Sequence, residues 1–183
     1  SDVNDEAYAD FYGPAVYLPE FGAERMGDTT ETPSTTGPTE SWLTDWMVRT
    51  CEFIDNYRPK VLYFDWWIQN YAFKPYLKKI AAYYYNRAAQ WGEEVSINYK
   101  REAFVPGVAT FDVERGALTE ISPVPWQTCT AIGKRSWGYT TNNEFKTPRQ
   151  IICDLIDIVS KNGMLLLNVG PRADGTITEE ETQ

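Results

Sequence analysis

The stretch that most limits what this chain can fold into is Pro59-Lys60-Val61-Leu62-Tyr63-Phe64-Asp65-Trp66-Trp67, a short apolar run entered from a proline and stopped by a carboxylate and two indoles. A run of this length, with a β-branched residue and two aromatics, reads as a strand buried on both faces, as in parallel sheets. An acid at the C-terminal end of such a strand stands where α/β proteins place their chemistry. Two readings of Asp65 are open at this level: a cap on the following loop, or a reacting group. The adjacent indoles favour the second, because flat apolar faces beside a carboxylate hold sugar rings.

The rest of the chain repeats helix and strand. Leu43, Met47, Cys51 and Ile54 recur every three or four residues and predict a helix over 40–56. Leu77, Ile80, Ala81, Tyr84, Ala88 and Trp91 predict a second, opening near Pro75 and stopping at Gly92. Thr147-Pro148 supplies an N-cap and a first-turn proline for a third, which carries Ile151, Ile152, Leu155, Ile158 and Val159. Further strands are predicted over 95–98, 108–114, 127–132 and 164–169, with no helix readable between the first two of these. The pattern predicts a parallel α/β sheet within one domain. Residues 1–40 read as irregular, and 27–39 as a long surface loop.

Composition narrows the chemistry. A net charge of −9 and the lack of a basic stripe argue against nucleic acid. No apolar stretch is long enough to span a membrane as a helix. Gly-rich phosphate loops are absent, which argues against nucleotides. With no histidine in 183 residues, acid–base work falls to Asp, Glu, Lys, Tyr or Cys, and no metal or cofactor is implied. Cys51, Cys129 and Cys153 are too far apart for a disulfide framework or a zinc site. Cys51 and Cys153 fall on apolar helix positions and are expected to be buried thiols. The N-terminus, Ser1-Asp2-Val3-Asn4, carries no apolar leader and reads as that of a processed or excised piece.

Four carboxylates lie at or just past predicted strand ends: Asp65, Asp112, Glu114 and Glu120. Residues 112 and 114 point to one face of their strand. Two acids facing each other across a ligand are what glycoside hydrolysis needs, although one of them could be structural, for instance paired with Arg115.

Several motifs occur in order: Val61-Leu62-Tyr63-Phe64-Asp65, Phe111-Asp112-Val113-Glu114-Arg115-Gly116, Trp126-Gln127-Thr128, Ser136-Trp137-Gly138-Tyr139, and Ser160-Lys161-Asn162-Gly163-Met164-Leu165-Leu166-Leu167-Asn168-Val169-Gly170-Pro171. Together they resemble the α-L-fucosidases of glycoside hydrolase family 29, the last motif most specifically. The resemblance implies an irregular (β/α)8 TIM-like barrel that releases terminal α-L-fucose with retention from a fucosylated oligosaccharide or glycoconjugate. It implies Asp65 as nucleophile and Glu114 as acid/base, with Glu120 as the fallback. Trp67 and Trp137 match aromatics of the fucose pocket. Lys100 stands where many members carry an arginine, so it implies a contact to a sugar hydroxyl. The resemblance also implies a secreted, periplasmic or lysosomal protein.

Family members also bind fucose through histidines and a tryptophan near the start of the barrel, and this chain has no histidine. By the match it begins about mid-barrel, so it is expected to be the second half of a catalytic domain that needs its missing N-terminal half. Alone it should expose the edge of its first strand and dissolve poorly; a cooperative melt of the isolated chain would contradict this. The competing reading is a non-catalytic carbohydrate-binding module derived from the same barrel.

Overall fold

Five parallel strands form one sheet in the order in which they occur in the chain: β1 (Val61–Phe64), β2 (Ser96–Tyr99), β3 (Thr110–Glu114), β4 (Trp126–Ala131) and β5 (Gly163–Asn168). The computed structural model describes residues 5–12, 38–66 and 68–182, with the side chains of Phe11 and Tyr12 left aside. Trp67 and residues 27–37 of the expected loop lie outside these. Strand order without reversal is that of an arc of a barrel; a doubly wound sheet reverses direction at its centre. One consequence positions the site: all five C-terminal strand ends lie along one edge.

The helices are α1 (Ala9–Tyr12), α2 (Glu40–Tyr57), α3 (Lys74–Trp91), α4 (Pro148–Ser160) and α5 (Glu179–Thr182). Each long helix has local reasons for its ends. The Thr39 side chain accepts the Trp42 N–H at the start of α2, and Arg58 closes that helix in the left-handed region. Gly92, at φ +69°, closes α3. Thr147 and Gln150 form a reciprocal capping box on α4, with Pro148 in the first turn. The apolar faces of α2 and α3 cover one side of β1 and β2, where Leu43, Ile54, Leu77, Ile80 and Tyr84 meet Leu62, Phe64, Ile97 and Tyr99. The buried Tyr84 hydroxyl donates to the Pro59 carbonyl at 2.6 Å and so pins the entry to β1.

Two expectations are corrected. β1 is not buried on both faces: Leu62 and Phe64 are in the core, whereas Val61 and Tyr63 are exposed. The side chains of 61 and 63 point to the concave side of the sheet, over which no second layer packs among the described residues. Nor are both helical cysteines buried. Cys51 is half-buried and Cys153 is exposed. Of the apolar residues on α4, Ile158 is buried while Ile152, Leu155, Ile156 and Val159 stay exposed, so the helix has more apolar surface than its contact with β5 covers.

The start of β5 depends on a missing side chain. Gly163 pairs with Trp126, and a Cβ at 163 would lie 2.6 Å from the indole and 2.8 Å from Ile158 Cγ2. Trp126 is buried and its Nε1 donates to the Lys161 carbonyl at 2.9 Å, so the ring cannot step aside. Gly163→Ala is therefore expected to destabilise by about 2 kcal/mol through overpacking, read as a lower denaturant midpoint.

Candidate active site

Alternation along each strand sends every second side chain to the face opposite α2 and α3. That concave face carries Tyr63, then Asp65 just past β1; Asn98, then Lys100 just past β2; Asp112 and Glu114 on β3; and Gln127 and Cys129 on β4. The register couples them, with Tyr63 beside Asn98, Asp112 beside Gln127 and Glu114 beside Cys129. Parallel pairing therefore gathers, at one edge, groups that lie up to 66 positions apart in the chain (63 to 129).

A cavity of about 570 Å³ opens on this edge. Asp65, Glu114, Lys100 and Trp137 line it together, joined by Tyr63, Trp66, Cys129 and residues 166–169 at the end of β5. Four of the residues singled out from the sequence thus share one space. Glu120 does not; it is exposed on the connection between β3 and β4.

Beneath the cavity lies a polar cluster that pattern reading missed. Asp112 is 1% exposed, and its Oδ1 accepts from Lys100 Nζ at 2.6 Å and from the Tyr63 hydroxyl at 3.2 Å. Its Oδ2 accepts from Gln127, whose own carbonyl accepts from Asn98 at 2.8 Å. Both oxygens being engaged and dry, Asp112 is a structural carboxylate, and of the β3 acids Glu114 is the one that lines the cavity. Lys100 Nζ also lies 2.9 Å from Cys129 Sγ and 3.3 Å from Glu114 Oε2. Trp66 Nε1 donates to that same Oε2 at 2.5 Å. The only signal for this cluster in the sequence is the period-two spacing 61/63/65, 112/114 and 127/129, which names a face but not a partner.

Burial works against the Lys100 charge, yet the hydrogen bonds with Asp112, Cys129 and Tyr63 outweigh it and hold the ammonium above the ordinary lysine value. Burial pushes the Tyr63 phenol up, and it pushes the Cys129 thiol up against the pull of Lys100. All three groups keep their protons longer in the folded state than in the unfolded one. Their contribution to stability is complete below the unfolded values and declines as the pH climbs past them, from about 8.5 for a thiol to about 10 for phenol and ammonium. The melting temperature is expected to fall progressively above pH ~9; a flat profile from pH 7 to pH 11 would contradict the cluster.

Trp137 stands at the rim, on a connection closed at its base by the antiparallel bridge between Gly133 and Phe145. The Arg115 guanidinium lies 4.1 Å from its ring centroid, a cation–π contact, and also donates to the Gly133 carbonyl at 3.1 Å. Arg115 follows Glu114 directly and takes φ +50°, in the left-handed region, at the end of β3.

Carboxylates and indole faces at the C-terminal ends of sequential parallel strands are the features of carbohydrate-processing (β/α) barrels. Residues 14–183 match the family model described as alpha-L-fucosidase, and the chain belongs to that family. It is 39% identical over 59 residues to the plasma alpha-L-fucosidase of Homo sapiens, a match covering 31% of this chain and 13% of that protein. Among solved structures, it is similar to an alpha-L-fucosidase at 32% identity and a TM-score of 0.65, over 78% of this chain and 32% of the other. It is also similar to the Thermotoga maritima alpha-fucosidase in complex with fucose, at 31% identity and a TM-score of 0.60, over 78% of this chain and 31% of that one. The chain thus spans about a third of the length of its solved relatives.

Proposed function

We propose that this chain is the second half of the catalytic barrel of a retaining exo-α-L-fucosidase, acting on terminal fucose of an oligosaccharide or glycoconjugate. The observation that carries the reading is that Asp65 and Glu114, on the ends of two different strands, line one cavity together with Trp137. Family membership and the fucose complex of a relative support the sugar. The Thermotoga maritima alpha-fucosidase in complex with a mechanism-based inhibitor supports a catalytic reading.

In the first step the Asp65 carboxylate attacks the anomeric carbon. The bond to the leaving oxygen breaks, and Glu114 gives that oxygen its proton. In the second step Glu114 takes a proton from water, the hydroxide attacks the anomeric carbon, and Asp65 departs as carboxylate. Trp66 and Lys100 both hold Glu114 Oε2, which leaves Oε1 to carry the transferred proton. Trp137 and, from sequence, Trp67 supply aromatic walls, including one for the fucose methyl group.

The remaining half of the barrel would cover what this chain leaves open. Among the described residues β1 and β5 each pair on one side only, and Ile152, Leu155, Ile156 and Val159 of α4 are exposed. The direct test is proton NMR of the product as it forms from an aryl α-L-fucoside, using the chain with its upstream half restored. The α-anomer of fucose should appear first. The β-anomer first would overturn retention, and no turnover by a folded protein would favour the binding module.

A further inference from the structure

The end of β5 and the turn after it close the most distinctive motif of the sequence, and the mechanism above gives their contacts with the loop at 137–139 no task. Alternate residues 168, 170 and 172 meet three consecutive residues, 137, 138 and 139. Asn168 Nδ2 donates to the Trp137 carbonyl at 2.6 Å. Gly170 is buried against the next peptide, where a Cβ would lie 3.0 Å from Gly138 C and from Tyr139 N. The Arg172 guanidinium lies 5.5 Å from the centroid of the Tyr139 ring.

The segment is itself braced. The Gly170 N–H donates to Glu181 at 2.8 Å, and the Arg172 N–H donates to the Thr176 carbonyl at 2.8 Å, across a turn with Gly175 at φ +84°. The loop carrying Trp137 is otherwise exposed at 137–139. Arg115 stacks on the indole itself, and the contacts from 168, 170 and 172 fix the backbone that carries it.

We infer that Asn168, Gly170 and Arg172 are positioning residues that clamp the 137–139 loop and thereby set the affinity of the pocket for fucose through Trp137. This rests on the reading of Trp137 as a wall of the fucose pocket. The clamp touches the Trp137 carbonyl, the following peptide and the Tyr139 ring; Asn168 also lines the cavity, but its amide N–H is spent on that carbonyl, so the clamp acts on the sugar through the indole.

A double-mutant cycle in the full-length enzyme tests it, with the inhibition constant of L-fucose as the readout and kcat and the melt beside it. Asn168→Ala and Trp137→Ala should each raise that constant about tenfold, as the loss of one aromatic contact does, with a smaller change in kcat. The double variant should be no worse than Trp137→Ala alone. Effects that multiply would overturn the clamp, because Asn168 would then touch the sugar itself or act on the fold in general. An unchanged constant in Trp137→Ala would overturn the wall reading and the clamp with it, a distinguishable result. Should Asn168→Ala fail to fold, Arg172→Leu at its partly exposed position carries the same cycle. There a rise of about threefold is expected, vanishing in the Trp137→Ala background.

Discussion

Asp65→Ala is expected to lower kcat on an activated aryl α-L-fucoside by about 10⁴-fold while leaving fucose affinity within a few-fold. A nucleophile acts only once the anomeric carbon begins to part from its leaving group, so its removal raises the barrier without removing the pocket that holds the sugar. The vacated space also admits a small anion. Sodium azide should restore part of the rate and give β-fucosyl azide, since it attacks from the side that Asp65 occupied. Glu114→Gln makes the informative contrast. With a good leaving group the first step needs no proton, so its loss should fall on substrates with poor leaving groups and on the water step. If Asp65→Ala keeps wild-type turnover, Asp65 is a loop cap, and the strand-end acid has no part in the chemistry.

Lys100→Met should cost about 3–5 kcal/mol of stability, because it leaves the Asp112 carboxylate buried without its cation. The Lys100 side chain is 3% exposed and that of Asp112 is fully buried, so water cannot replace the lost partner. For a domain of this size the melting temperature should fall by roughly 10 °C. Lys100→Met combined with Asp112→Asn should recover much of the loss, since the second change removes the stranded charge. This outcome separates two roles for Lys100. If Lys100→Met melts like the wild type and only KM rises, the ammonium belongs to the substrate and not to the β3 carboxylates.

The fate of Lys100 marks where sequence reading stops. Its place just past a strand was legible, as were all five strands to within two residues, the Thr147 cap of α4 and the Gly92 stop of α3. These are local properties, set by side-chain period and by residues such as Thr147 and Gly92. Alternation also put Asp112 and Glu114 on one face of their strand. It could not say that Tyr63, Lys100, Asp112 and Cys129 would close on one another, because that depends on which strands become neighbours and in what register. Trp66 shows the same limit: its indole bonds Glu114 from 48 positions away, across the turn that ends β1. Asn168 was visible within a motif, yet its partner is a backbone carbonyl 31 residues upstream, which no side-chain pattern records. The exposure of Cys153 had a different cause, since the apolar period of α4 predicts burial without saying what would cover it.

The most direct test of the account is covalent trapping. The chain, with its upstream half restored, would be incubated with 2-fluoro-fucosyl fluoride, whose fluorine at C2 slows hydrolysis of the fucosyl-enzyme, and then digested for peptide mass spectrometry. The account predicts a 2-fluoro-fucosyl adduct on the peptide carrying Asp65, absent from Asp65→Ala. An adduct on Glu114 or another carboxylate, or none from a folded protein that turns over fucosides, would contradict it.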